Sequence, residues 1–320
     1  MEQPSQLWVD KHQPHSIEDC ILPSSLKQTL LNIIKDKNIP NLLLAGDAGT
    51  GKTTTAKILC ETLGIDYIFI NASSERGINE IKSKVLGFAS SRSLFQDAPY
   101  KVIILDESDN LTSDAQDALR GLIEEFQTIC RFILTCNFPQ RLKGAIKSRM
   151  RTIEYGFEAE ADELRVEFLN RLKAILELED VALTKDDEDT LQHLVAHVYP
   201  NFRKCIHHLE GAAGGGEFNS QIIEDTIPPS VDELVPLLEN YKMVQANNWL
   251  NHYFATTTNA SCLHLIDSLF EALLPEAGDE LVINLSLLMA RYTDSATRGG
   301  NQKVLSLALL AELTKLLSKR

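Results

Sequence analysis

Residues 46–53 read Gly46-Asp47-Ala48-Gly49-Thr50-Gly51-Lys52-Thr53 and fill every position of the phosphate-loop pattern G-x-x-x-x-G-K-[ST]. No other stretch constrains the chain as tightly. The glycines let the backbone curl until successive N–H groups converge on β- and γ-phosphate oxygens. Lys52 adds a point charge there, and the Thr53 hydroxyl suits Mg²⁺. The flanks agree: Leu42-Leu43-Leu44 has the apolar character of a buried strand, and Thr54–Cys60 has a helix pattern. Strand, loop and helix in that order set a helix N-terminus against the phosphates. The expectation is a site for ATP and Mg²⁺, with Gly49, Thr50, Gly51, Lys52, Thr53 and Thr54 on the nucleotide.

Two further strand ends extend that site. Lys101-Val102-Ile103-Ile104-Leu105-Asp106-Glu107 is an apolar run closing on two carboxylates. Hydrolysis needs one acid in the Mg²⁺ shell, expected to be Asp106, and one to polarise the attacking water, expected to be Glu107. Ser113-Asp114-Ala115-Gln116 has the form of a capping box and opens a helix through Glu125. Another strand, Arg131–Cys136, ends in Asn137, whose amide either orients water and touches the γ-phosphate or makes an Asx turn. Arg149 precedes the strand pattern Thr152–Tyr155, and Arg203 opens a helix after Pro200-Asn201-Phe202. An isolated arginine is usually a surface group, so these two gain meaning from the motifs around them.

Composition narrows the class. A chain of 320 residues predicts two or three domains, and it contains no apolar stretch of the roughly 18 residues that a membrane span needs. The start, Met1-Glu2-Gln3-Pro4, lacks the basic and apolar segments of a signal peptide, which points to the cytoplasm. Cys20, Cys60, Cys130, Cys136, Cys205 and Cys262 form no C-x-x-C and read as reduced core thiols. A formal charge of −14 argues against coating nucleic acid through bulk charge, so such contact requires a local basic strip.

These motifs together resemble the AAA+ ATPases, and within them the ATPase subunits of sliding-clamp loaders, almost end to end. Trp8-Val9-Asp10-Lys11-His12-Gln13-Pro14 is similar to the family's W-x-[DE]-K-Y-R-P box, and Asn71-Ala72-Ser73-Ser74-Glu75-Arg76-Gly77-Ile78 to its N-A-S-D-E-R-G-I segment. Asp106-Glu107-Ser108-Asp109 matches the DExD box, Asn137 sensor 1, Ser148-Arg149-Met150 the S-R-C arginine-finger motif, and Arg203 sensor 2. Glu18–Pro23 and Asn201–Lys204 resemble most the large clamp-loader subunit of T4-type phages, which would put the chain in a host cytoplasm. The resemblance implies that Val9, Asp10, Lys11, His12 and Ile21 lie on the adenine side. It implies that Asn137 and Arg203 read the γ-phosphate in cis, and that Arg149 completes a neighbour's site. The partners it implies are the sliding clamp, primer–template DNA and the other subunits of a five-subunit ring. Two departures stand out: His12-Gln13 replaces Tyr-Arg, and Met150 replaces Cys.

The expected fold class is α/β: a P-loop AAA+ parallel-sheet domain (1–156), a helical lid (157–227) and an all-helical C-terminal collar (228–320). Strands are expected at Leu42–Ala45, Tyr67–Ile70, Val102–Leu105, Phe132–Thr135 and Thr152–Tyr155, and a helical period begins near Glu158 with Leu164, Phe168, Leu172 and Ile175. Arg76, Lys82, Lys84 and Arg92 form the expected basic strip for a DNA backbone. His193 and His197 sit at i, i+4 without a third ligand, so no zinc site is expected. Asp186–Asp189 reads as a solvated acidic helix start. Two other readings remain open. A branch-migration motor of the AAA+ class should end in a winged helix with a β-hairpin, and a non-hydrolysing nucleotide-binding subunit would lack turnover.

Overall fold

The computed structural model describes residues 7–74, 77–91, 100–257 and 260–317. Contacts divide the chain into two compact units, Met1–Phe218 and Asn219–Arg320. In the first unit, five parallel strands form one sheet: β1 (Leu42–Gly46), β2 (Tyr67–Asn71), β3 (Lys101–Asp106), β4 (Cys130–Cys136) and β5 (Arg151–Tyr155), in the order β2-β3-β4-β1-β5. Each expected strand is present, extended by a residue or two at its ends. The near-continuous apolar runs follow from burial on both faces. Leu42, Leu44, Val102, Ile104 and Ile133 enter one core layer, and Leu43, Ala45, Ile103, Leu105, Phe132 and Leu134 the other. The period of two along a strand produces that division.

The order places β1 between β4 and β5, so the chain leaves β1, crosses to the far edge at β2, returns through β3 and β4, and ends on the other side of β1. All connections being parallel, the strands' carboxyl ends share one edge, where open α/β sheets bind ligands. Register carries the site across that edge: Leu105 pairs with Leu134, and Leu44 with Thr135, which sets Asp106 level with Thr135.

Helices α1 (Trp8–Lys11) and α2 (Ser24–Lys35) precede the sheet, α3 (Lys52–Thr62) follows the phosphate loop, and α4 (Ile78–Ser90), α5 (Ser113–Glu125) and the short α6 (Gly144–Lys147) connect later strands. The capping of α5 differs from expectation. Its N-cap is Thr112, whose Oγ1 accepts Ala115 N–H at 3.2 Å. Gln116 does not reach back to the N-cap. It is buried, donating to Leu111 and Arg141 carbonyls at 3.2 Å and accepting Lys143 N–H at 2.9 Å. Three backbone partners, two of them tertiary, outweigh one local cap bond.

The rest of the first unit is helical: α7 (Ala161–Leu178), α8 (Lys185–Val198) and α9 (Phe202–Ala212). Leu164, Phe168, Leu172 and Ile175 form the buried stripe of α7, as their spacing requires. The acidic start of α8 is less solvated than expected. Asp187 is buried and closes a capping box, accepting Thr184 N–H at 2.8 Å and the Thr184 hydroxyl at 2.7 Å.

The second unit contains α10 (Ser220–Thr226), α11 (Val231–Glu239), α12 (Met243–Thr256), α13 (Cys262–Leu273), α14 (Asp279–Thr297) and α15 (Gln302–Leu317), packed around its own apolar core. Its described residues contain no strand. The contact boundary falls after Phe218 rather than after residue 227. Thus α10, expected with residues 157–227, falls in the second unit, where His252 Nε2 lies 3.1 Å from the Ile227 carbonyl. No described helix is long and apolar enough to cross a membrane. All six cysteines are free and buried.

Candidate nucleotide site

The phosphate loop bridges β1 and α3. Gly49 (φ +77°) and Gly51 (φ +90°) occupy the left-handed region that L-residues adopt at a cost. Gly49 has a second reason to lack a side chain: a Cβ there would collide with Asn201 Oδ1 of the α9 N-cap. Phe202 N–H donates to the Gly49 carbonyl at 3.1 Å, so the start of α9 rests on the loop. Among the described residues, no protein acceptor takes the N–H groups of Gly49, Thr50, Gly51, Lys52 or Thr53. Five converging donors without partners suit a polyphosphate.

Lys52 is buried, and its Nζ donates to the Gly46 and Asp47 carbonyls at 2.8 and 2.6 Å. Burial draws its ammonium below the ordinary value, while Cys136, Asp106, Asp47 and Asp109 oppose the shift. The Thr53 hydroxyl donates to Asp106 Oδ1, which brings a hydroxyl and a carboxylate together as two hard oxygen donors of the kind Mg²⁺ takes.

Sequence reasoning passed over the residue that organises the acidic end. Thr135 on β4 donates to Asp106 Oδ1 at 2.8 Å and accepts Glu107 N–H at 3.0 Å. A lone polar residue in the otherwise apolar run Phe132–Cys136 was its visible signal. Glu107 sits at φ +53°, an uncommon conformation for a residue with a Cβ. Its Oε2 accepts Asn110 Nδ2 at 3.2 Å. Asp109 accepts Phe138 N–H at 3.1 Å, tying the turn after β3 to the residue following Asn137.

Lys52, Thr53, Asp106, Glu107, Asn137 and Arg203 all line one cavity of about 170 Å³, together with Gly49, Thr50, Gly51 and Thr54. Val9, His12 and Ile21 line it as well, and so do Gln13 of the same N-terminal box, Phe168 of the α7 stripe, and Arg171 and Ile206, the last two without a signal in the sequence. Aromatic packing holds α9 there: Phe202 lies 4.6 Å from Phe168 and 5.7 Å from Phe157 between ring centroids. Two expected contacts are placed elsewhere. Asp10 accepts Gln13 Nε2 at 3.1 Å, and Lys11 reaches Glu179 at 2.8 Å. Successive residues of the short α1 cannot face the same way.

Arg149 lies apart from the cavity. Its Nε donates to Glu124 Oε1 at 2.8 Å and its Nη1 to the Ala145 carbonyl at 2.6 Å. Lys82 and Lys84 are exposed on α4, between the buried Ile81 and Val85, whereas Arg76 and Arg92 lie outside the described residues. The His193 and His197 rings meet edge-on at 4.2 Å, and no group of three His, Cys, Asp or Glu fit for a metal occurs among the described residues.

Residues 42–156 match the model of the ATPase family associated with various cellular activities (AAA). The replication factor C small subunit of Archaeoglobus fulgidus is 33% identical over 98% of this chain and 99% of its own length. That of Methanococcus vannielii is 31% identical over 96% and 98%. Among solved structures, the Thermotoga maritima RuvB Holliday-junction branch-migration motor aligns with a TM-score of 0.55, covering 85% of this chain and 82% of that one at 15% identity. That likeness concerns the fold. The near-full-length relatives decide the family: the chain belongs to the replication factor C small subunits, clamp-loader subunits built on the AAA ATPase domain.

Proposed function

We propose that this subunit binds ATP in the cavity between the phosphate loop and α9, hydrolyses it with Glu107 as the base, and does so faster when DNA is bound. The observation that carries the reading is the convergence of Lys52, Thr53, Asp106, Glu107, Asn137 and Arg203 on one cavity beside five unpartnered loop amides. Mg²⁺ between Thr53 and Asp106 would neutralise charge developing on the phosphate oxygens. Lys52 exchanges its carbonyl partners for phosphate, and the loop amides hold the β- and γ-phosphates. Glu107 takes a proton from the attacking water, and Asn137 and Arg203 hold the γ-phosphate from either side. Arg149, turned away from its own cavity, acts on the site of an adjacent subunit.

In this reading five subunits close a ring through helical collars. ATP binding opens the sliding clamp and admits primer–template DNA, whose backbone follows Lys82 and Lys84 around the ring. Hydrolysis then releases the clamp on DNA. The chain divides into nucleotide-binding, lid and collar domains and works in the cytoplasm. A branch-migration motor fits less well, because the described residues beyond 218 supply no hairpin for a winged helix. The test is Glu107→Gln, expected to keep ATP affinity within about two-fold while turnover falls by about 10²-fold or more. Wild-type turnover in the variant would remove Glu107 from the chemistry. Unstimulated turnover of the wild type across a titration of primer–template would remove the DNA coupling.

A further inference from the structure

The cavity-lining His12, its neighbour Lys11 and the distant Glu179 form one polar unit. Glu179, which caps the C-terminus of α7, receives Lys11 Nζ at 2.9 Å on Oε2 and 2.8 Å on Oε1, and lies 2.5 Å from His12 Nε2. The imidazole is 6% exposed and the Glu179 side chain 14%. Arg171 Nη2 donates to the His12 carbonyl at 3.1 Å, and the Trp8 ring stands edge-on at 6.1 Å. The ring is therefore held in place while it lines the cavity.

A carboxylate accepts and does not donate. Burial alone would raise the Glu179 carboxyl, but hydrogen bonds from Lys11 and His12 outweigh it and hold the group below its ordinary range. The proton of a neutral His12 ring then sits on Nε2, because the partner of one imidazole nitrogen decides the tautomer. Nδ1 is left as a hydrogen-bond acceptor, and no described protein atom takes it. Resting on the nucleotide-site reading above, we propose that Glu179 is a specificity-determining residue for the base. By fixing His12 as an acceptor, it favours a purine with an amino group at position 6, as in adenine. A 6-carbonyl purine, such as hypoxanthine or guanine, would set one acceptor against another.

The experiment compares ATP with ITP, which differ at the 6-position, in displacing a fluorescent ATP analogue from the full chain with Mg²⁺ at pH 8.5. Wild type should prefer ATP by about ten-fold or more. In Glu179→Gln, Lys11 claims the amide oxygen and leaves the amide N–H₂ toward Nε2, so the His12 proton moves to Nδ1. The preference should then fall within about three-fold or invert. In a His12→Tyr background the same substitution should no longer change the ratio. Glu179→Gln binding both nucleotides with the wild-type ratio overturns the proposal. Should that variant not fold, His12→Tyr alone carries the test, and an unchanged ratio there overturns it equally. A folded wild type that binds neither nucleotide would instead refute the nucleotide-site reading, and the selectivity proposal with it.

Discussion

Thr135→Val tests whether the acidic end of the site is held by one hydroxyl. Thr135 is 2% exposed and valine matches its shape, so the substitution leaves no appreciable void. Two bonds go: one to the Asp106 carboxylate at 2.8 Å and one from Glu107 N–H at 3.0 Å. A hydrogen bond to a charged group contributes about 1.5–3 kcal/mol, and an N–H left without a partner costs about 1–3 kcal/mol. Asp106 and Glu107 are half-buried and partly recovered by water, which favours the lower ends of both ranges and a total of about 3 kcal/mol. For a unit of the size of Met1–Phe218, that is a fall in melting temperature of about 6–12 °C. Calorimetry of the nucleotide-free chain measures it, with the first unit's transition identified as the one ATP and Mg²⁺ raise. Thr135→Ser keeps both bonds and should lose about 1 kcal/mol. Turnover should fall in the valine variant, because the Glu107 peptide loses the contact that holds its left-handed turn. A valine variant that melts within a degree of wild type, or a serine variant that falls as far, would refute the argument.

Three other outcomes are expected. Mixing Arg149→Ala subunits with Lys52→Ala subunits should restore part of the ATPase activity where two intact halves meet, and no recovery at any ratio of assembled material would count against action in trans. Gly49→Ala should destabilise the nucleotide-free chain by about 2–3 kcal/mol, from left-handed strain of about 1–2 plus about 1 for an N-cap that Asn201 can no longer supply. Gly51→Ala, whose Cβ would meet nothing, should show the strain alone; equal urea midpoints for the two variants would show that Asn201 plays no part. Burial pushes Cys60 and Cys205 up to about 12, so above pH 9 the folded chain retains protons that the unfolded chain releases. Their stabilising contribution is complete below pH 9 and declines as pH rises towards 12, by up to about 1.4 kcal/mol per pH unit for each thiol. Urea midpoints between pH 8 and 10 should decline more gently in Cys60→Ala, and parallel slopes would exclude the thiol as the cause.

The amino-acid sequence by itself determined what rests on local backbone and short-range pattern. The phosphate loop needs left-handed residues at Gly49 and Gly51 and a lysine at Lys52, and these needs are written in eight consecutive residues. The five strands were legible because a doubly buried sheet demands apolar runs, and α7 because its stripe recurs at Leu164, Phe168, Leu172 and Ile175. The tertiary structure alone decided what depends on residues far apart. His12 and Glu179 stand 167 positions apart, and Thr53 and Asp106 stand 53 apart. Such pairs leave no period to read. The α5 cap went to Thr112 rather than Ser113 because a buried Gln116 bonds better to Arg141 and Lys143 than to its own helix start. Thr135 became a hinge of the site through the β3–β4 register, which no local propensity encodes. Local conformation follows from neighbours along the chain, whereas the partner of a buried polar atom follows from whichever distant group the fold brings within reach.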